Sequence, residues 1–79
     1  MNIIEEVTKI IRETFDDQTL NYSPSLSASD IYAWDSITHI NLIVAIEKNF
    51  NIKFTDNEIF EFKNVGELVN SIQLKLSDV

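Results

Sequence analysis

The sequence predicts an all-α fold, a four-helix bundle with three main helices, a short third helix and a long loop between helices one and two. Three observations point to it. Apolar residues return at helical spacing in three stretches, and two capping boxes mark helix starts in the second half. The one stretch that alternates like a strand, Phe50, Ile52 and Phe54, has no second strand to pair with. Seventy-nine residues, 44% hydrophobic and 24% charged, describe a single domain over residues 1–79 and leave no room for a second. A chain of that length buries only about 60–65% of its unfolded surface, enough for one modest core and hardly for a deep catalytic cavity.

The first helix follows from Ile3, Ile4, Val7, Ile10, Ile11 and Phe15 on one side, with Glu5, Glu6, Lys9, Arg12 and Glu13 on the other. From Asp16 to Asp35 the chain is rich in turn-forming residues: Pro24, the serines Ser23, Ser25, Ser27 and Ser29, and several Asp and Asn. It is no free linker, because Leu20, Tyr22, Leu26, Ile31 and Trp34 are each better placed against a core than in water. Loops longer than about 12–15 residues are uncommon in compact domains and tend to be functional, which draws attention to the far end of this one.

The second helix is predicted from Ser36 to Asn49, with Asp35 as its cap and Asn51 suited to the left-handed turn that ends it. Ile37, Ile40, Leu42, Ile43, Val44, Ala45 and Ile46 cover more than one face, which implies both burial and an apolar surface left for partners. Thr55-Asp56-Asn57-Glu58 and Asn64-Val65-Gly66-Glu67 are the two capping boxes. They predict a short third helix over Asp56 to Glu61, presenting Ile59, Phe60 and Phe62. The fourth runs over Val65 to Leu76, with Val65, Leu68, Val69, Ile72 and Leu76 on one stripe. Phe50, Ile52 and Phe54 read as a connector whose side chains reach inward.

Six basic against thirteen acidic residues give a net charge of −7, the wrong sign for neutralising a phosphate backbone, so nucleic acid is not expected as a partner. The same field favours encounters with proteins that carry basic patches. The absence of cysteine removes disulfides, thiolate metal sites and any cysteine nucleophile, so thiol chemistry here would need an imported thiol. Met1-Asn2-Ile3-Ile4-Glu5-Glu6 has neither the positive flank nor the apolar run of an export signal, and no stretch reaches membrane-spanning length; the expectation is a cytoplasmic protein.

Chemistry concentrates where the long loop meets the second helix, at Trp34-Asp35-Ser36-Ile37 followed by Thr38-His39-Ile40-Asn41-Leu42-Ile43-Val44-Ala45-Ile46-Glu47. Asp35 and Ser36 alone are an ordinary helix start. A serine on the first turn also presents its hydroxyl beside free backbone N–H groups, where the helix dipole favours an attached phosphate. His39, three residues on, invites a Ser36–His39 pair with Asp35 as a third member. Side chains on one helical turn do not readily hold a base between nucleophile and acid, so a lone histidine there reads as a surface residue and no catalytic residue is expected. No metal-ligand spacing and no calcium loop appears.

Over nearly its whole length the sequence resembles the acyl carrier protein family, including the related peptidyl carriers. The resemblance rests on the Asp-Ser-Leu signature in the form Asp35-Ser36-Ile37, the apolar helix after it, the ending Glu47-Lys48-Asn49-Phe50, and Val65-Gly66-Glu67-Leu68 opening the last helix. It implies an acyl-carrier-like four-helix bundle in which a phosphopantetheinyl transferase attaches the 4′-phosphopantetheine arm of coenzyme A to Ser36. It further implies that Asp35 helps the transferase recognise its serine, and that Ile37, Ile40 and Val44 form the docking ridge while Leu42, Ile43 and Ile46 serve the core. Glu47 is read equally as a solvated charge or a partner contact. The thiol of the arm would carry an acyl or aminoacyl group as a thioester from a loading ligase to downstream transferases or synthases, with the protein, a monomer, catalysing nothing. Tethering raises the effective concentration of the cargo, so weak docking suffices.

The departures from the family pattern are informative. Bacterial carriers of fatty-acid synthesis usually have acidic residues two and five places after the serine, where this chain has Thr38 and Asn41; Ile37 replaces leucine and Asn51 replaces a frequent glycine. The changed surface points to a carrier dedicated to one pathway, modifying a sugar, an amino acid or a secondary metabolite. The competing reading is an acidic helical interaction module with the carrier fold that binds partners noncovalently through its apolar second helix. A hydrolase using Ser36 and His39 would be the third.

Overall fold

A computed structural model describes residues 2–77. It places α1 at Ile3–Thr14, α2 at Ser36–Phe50, α3 at Asp56–Ile59 and α4 at Val65–Ser77, with one 3-10 turn at Ala28–Asp30 inside the long loop; no strand occurs among the described residues. Asn2 caps α1 by accepting from the Glu5 N–H at 3.1 Å. At the other end Asp16 takes the left-handed conformation (φ 52°), and the N–H groups of Asp16 and Asp17 return to the carbonyls of Glu13 and Arg12, which closes the helix. The expected turn at Asn51 is of the same kind, with φ 56° and ψ 49°, and the Ile52 N–H returns to Glu47 O at 3.1 Å.

The core is one cluster in which Val7, Leu42, Ile46, Val65 and Ile72 are wholly buried, joined by Ile10 and Ile11 of α1, Ile43 of α2 and Leu68 and Val69 of α4. On α4 the expected stripe is the buried one, with Leu76 packed against the cluster from its edge; on α1 Val7, Ile10 and Ile11 are buried, Ile3 and Phe15 pack against the cluster, and Ile4, expected on the same side, is exposed. On α2 the apolar excess divides as its width requires: Leu42, Ile43 and Ile46 go inward, while Ile37, Ile40 and Val44 stay in water. Phe50 is a correction to the expected connector. It is the last residue of α2 and buried, because it continues the Leu42–Ile46 row by one more turn; Ile52 and Phe54 do form the inward-reaching connector.

The long loop is fastened in its first half and at its middle. The Arg12 guanidinium donates to Leu20 O at 2.6 Å and to Asn21 Oδ1 at 3.1 Å. The N–H groups of Val65 and Gly66, which α4 cannot satisfy itself, donate to Leu26 O at 2.8 Å and Pro24 O at 2.9 Å. Ile31 is buried and Leu20, Tyr22, Leu26 and Trp34 are partly so, packed on the core as their composition demands.

The third helix is shorter than expected, ending at Ile59 rather than Glu61. Phe60 leaves helical geometry and Glu61 closes a tighter turn on Glu58 O, which lets Phe62 meet Phe54 edge-to-face at 5.6 Å. The Thr55–Glu58 box forms in both directions, at 2.8 and 3.3 Å. Lys75 of α4 then reaches Glu58 at 3.0 Å and lies 5.1 Å from the centre of the Phe54 ring, tying α3 to the end of the bundle. In the second box Asn64 Oδ1 accepts from the Glu67 N–H as expected, but the Glu67 carboxylate turns back to the Lys63 N–H instead.

Candidate functional site at the start of the second helix

Asp35 is extended and caps α2, accepting from the Thr38 N–H at 2.9 Å, while the Asp35 N–H donates to Thr38 Oγ1 at 2.8 Å. The Thr38 hydroxyl lies 2.8 Å from Ala33 O, so one threonine closes the cap and holds the last turn of the loop. The Thr38 N–H first, and its hydroxyl second, keep the exposed Asp35 carboxyl below the usual carboxylate range. A charged carboxylate therefore stands beside Ser36.

Ser36 is exposed on the first turn, and its hydroxyl makes no hydrogen bond to any described residue. Asp35, Thr38 and His39 beside it are held by hydrogen bonds, and Ser36 Oγ is not. It opens onto a groove of about 310 Å³ lined by Ala28, Trp34, Asp35, Ser36, His39, Phe60 and Phe62. A phosphate ester at Ser36 Oγ would sit at the positive end of a fifteen-residue helix with room beside it, so the residues present fit a phosphopantetheine arm.

Ile37 is 73% exposed, Val44 41% and Ile40 38%; at spacings of three and four they continue one apolar line away from Ser36. Glu47 ends that line half-buried, and its carboxylate accepts from the Phe54 N–H at 2.9 Å. It is a fastening of the α2–α3 connection, and its charge is only partly available to a partner.

His39 departs from the sequence expectation of a surface residue. It is half-buried, and Trp34 Nε1–H donates to its Nδ1 at 3.1 Å. An indole nitrogen only donates, so Nδ1 is the acceptor, the ring proton is on Nε2, and that N–H donates to Ile59 O. With both nitrogens engaged away from Ser36, the ring is no base for that hydroxyl. The rings of Phe15, Trp34, His39 and Phe60 follow one another at 5.1, 6.1 and 5.6 Å, joining α1, the loop, α2 and the end of α3. Sequence reasoning missed the parts played by Thr38, His39 and Phe60; the available signal was a tryptophan just before the cap and a histidine on the turn just after it. Among the described residues no group of acidic or histidine side chains could hold a metal ion, and no helix is long and apolar enough to cross a membrane.

The chain has relatives among known proteins. A family model described as the phosphopantetheine attachment site matches residues 1–72. Curated relatives include the acyl carrier proteins of Phenylobacterium zucineum, 29% identical over 95% of both chains, and Buchnera aphidicola, 32% identical over 94% of this chain and 92% of that one. The solution NMR structure of a holo acyl carrier protein from Geobacter metallireducens is similar with a TM-score of 0.90 and 41% identity, over 99% of this chain and 90% of that one. The family is one of carriers and not of enzymes. A family match across residues 1–72, seconded by a relative at 32% identity and by a shared all-helical fold, places this chain in the acyl carrier protein family.

Proposed function

We propose that the protein carries an acyl or aminoacyl group on a 4′-phosphopantetheine arm esterified to Ser36, and delivers it to the enzymes of one dedicated biosynthetic pathway. The observation that carries this is the Ser36 hydroxyl, exposed and unbonded on the first turn of α2 in a chain of this family. The arm supplies a terminal thiol that holds the cargo as a thioester. Ser36 presents the point of attachment, and the start of α2 favours the negative charge of the phosphodiester. Asp35, kept ionised, marks the site for a phosphopantetheinyl transferase, and Ile37, Ile40 and Val44 offer the loading ligase and downstream transferases or synthases an apolar ridge. Residues 1–79 act as one carrier domain, monomeric and cytoplasmic.

Dedication to one pathway is supported by the charge of α2. Within Ser36–Phe50 the only carboxylate is Glu47, and that one is bonded to the Phe54 N–H. Position 38 is spent on the cap and Asn41 is neutral, so α2 meets its partners mainly through apolar contact. The test is incubation with coenzyme A and a broad-specificity transferase. A mass gain of one phosphopantetheinyl group, absent from Ser36→Ala, is expected; a folded native protein left unmodified while a known carrier is fully converted overturns the assignment. The interaction-module reading has no observation in its favour that the carrier reading lacks.

A further inference from the structure

We propose that His39 is a proton-operated latch on the long loop: the neutral imidazole holds the Trp34 indole against the bundle, and a proton taken up at Nδ1 releases that indole near Ser36 while α3 stays attached. The latch belongs to the folded chain itself, and its test needs no arm on Ser36.

The two ring nitrogens have unequal fates on proton uptake. Nδ1 accepts from the Trp34 Nε1–H at 3.1 Å, and the Nε2–H donates to Ile59 O. A protonated imidazole has two donors and no acceptor, and an indole nitrogen is a donor only, so the Trp34 contact becomes two N–H groups facing each other. The Ile59 contact survives, because a carbonyl accepts from a charged ring more strongly than from a neutral one. The turn that bears Trp34 is held at both ends, by the buried Ile31 and by the Thr38 hydroxyl on Ala33 O, so the side chain moves and the cap of α2 stays. A released indole also leaves the Phe15 ring, now 5.1 Å away, and brings an aromatic surface into water two residues before the attachment point.

Charge around the imidazole does not decide the response. Of the residues lining the clefts that border the ring, Asp35 of the loop and Lys63 of the α3–α4 connection are charged; those from α3 and α4, Phe60 and Leu68, are not. Asp30 of the loop is turned to the Ser27 N–H at 3.0 Å. Glu58, next to Ile59, is paired with Lys75 at 3.0 Å, and Glu61 is exposed. Glu47, on the same helix as His39, is bonded to the Phe54 N–H, and α1 meets the ring through Phe15 and Trp34. Asp35 and Lys63 are both exposed and opposite in sign, and water and salt screen each of them. What changes on proton uptake is therefore the acceptor that Trp34 loses.

The experiment follows the Trp34 indole N–H and the backbone amides of the full chain by NMR between about pH 8 and about pH 5.5, a window in which histidine titrates and carboxylates stay ionised. His39 is the only histidine and Trp34 the only tryptophan. After correction for the intrinsic pH dependence of exchange, protection of the indole N–H is expected to fall about fivefold toward the acid end, the contribution of one neutral hydrogen bond. Acrylamide quenching of Trp34 emission should rise with it. The Ile59 N–H, bonded to Thr55 O at 3.2 Å, should keep its protection. His39→Gln, whose amide can accept from Trp34 and donate to Ile59 O without titrating, should hold the indole across the whole range. Indole protection that does not change with pH in the native protein overturns the proposal, whether or not the glutamine variant folds. So does an equal loss in a folded His39→Gln, or a loss at Ile59 as large as that at the indole.

Discussion

Gly66→Ala sets two opposed effects against each other at the seam between the long loop and α4. Alanine is the better helix former by up to ~1 kcal/mol, an advantage reduced on a first turn. Against it stands space: a Cβ at position 66 would lie 2.8 Å from Pro24 O, 3.1 Å from Pro24 Cβ and 3.2 Å from Pro24 Cα. These are backbone and ring atoms that cannot rotate away, and the oxygen is the one to which the Gly66 N–H donates at 2.9 Å. The loop must retreat, weakening that bond and its neighbour from the Val65 N–H to Leu26 O. Overpacking costs ~1–3 kcal/mol and each weakened bond up to ~1, so a net loss of about 1–3 kcal/mol is expected after the helix gain. With a urea slope of ~1 kcal/mol/M for a small domain, the unfolding midpoint should fall by about 1–3 M. Hydrogen exchange at the Val65 and Gly66 amides should quicken in the same variant. A midpoint unchanged or raised would mean that helix preference wins and that the loop is not held to α4 as described.

Three further outcomes follow from the same geometry. Leu42→Ala removes a wholly buried side chain from the centre of the cluster and should cost ~2–5 kcal/mol in chemical unfolding, enough to leave a domain of this size largely unfolded at 37 °C. Asn51→Ala puts an ordinary side chain at φ 56° and should lose ~1 kcal/mol, whereas Asn51→Gly should not; equal melting temperatures for the two would refute this. In acid, Asp17, Asp35 and Glu58 all have carboxyls held lower in the fold than in the open chain. Their contribution is complete above the ordinary range of ~4–5 and is lost as the pH falls through the depressed values, so melting temperature should drop on going from pH 5 to pH 3.

What the sequence made legible was whatever is local along the chain. Periodicity gives α1 and α4, the Thr55 and Asn64 boxes give two helix starts, and Asn51 gives the end of α2, because each is decided within a few residues. Asp35 as the cap of α2 and Ser36 as its first residue were legible for the same reason. The failures are all tertiary. Phe50 stays helical because a buried row on α2 needs one more turn, and α3 stops early because Phe62 has to reach Phe54. His39 looked like a surface residue because its partners are a loop tryptophan and the carbonyl of Ile59, twenty positions away. Nothing in spacing brings α3 to the first turn of α2; only packing does.

That packing also decides how partners should recognise the site. Ile37 is the most exposed of the three ridge residues, at 73%, and is adjacent to Ser36, while the carboxylate at the far end of the ridge is already bonded to Phe54 N–H. If docking is mainly apolar, Ile37→Ala should leave the melting temperature unchanged, since the side chain contributes little to the core. The same change should lower kcat/KM for a broad-specificity transferase about tenfold, corresponding to ~1.5 kcal/mol of lost apolar burial. Salt discriminates the alternative. Raising NaCl from about 0.1 to 1 M shortens the screening length from ~10 to ~3 Å, which would strongly slow a transferase steered by charge. Here the slowing should be less than about threefold, the exposed Asp35 carboxylate beside Ser36 contributing what charge dependence there is. An Ile37→Ala variant modified at the native rate, together with a steep loss in salt, would refute apolar docking and return recognition to the acidic field of the whole chain.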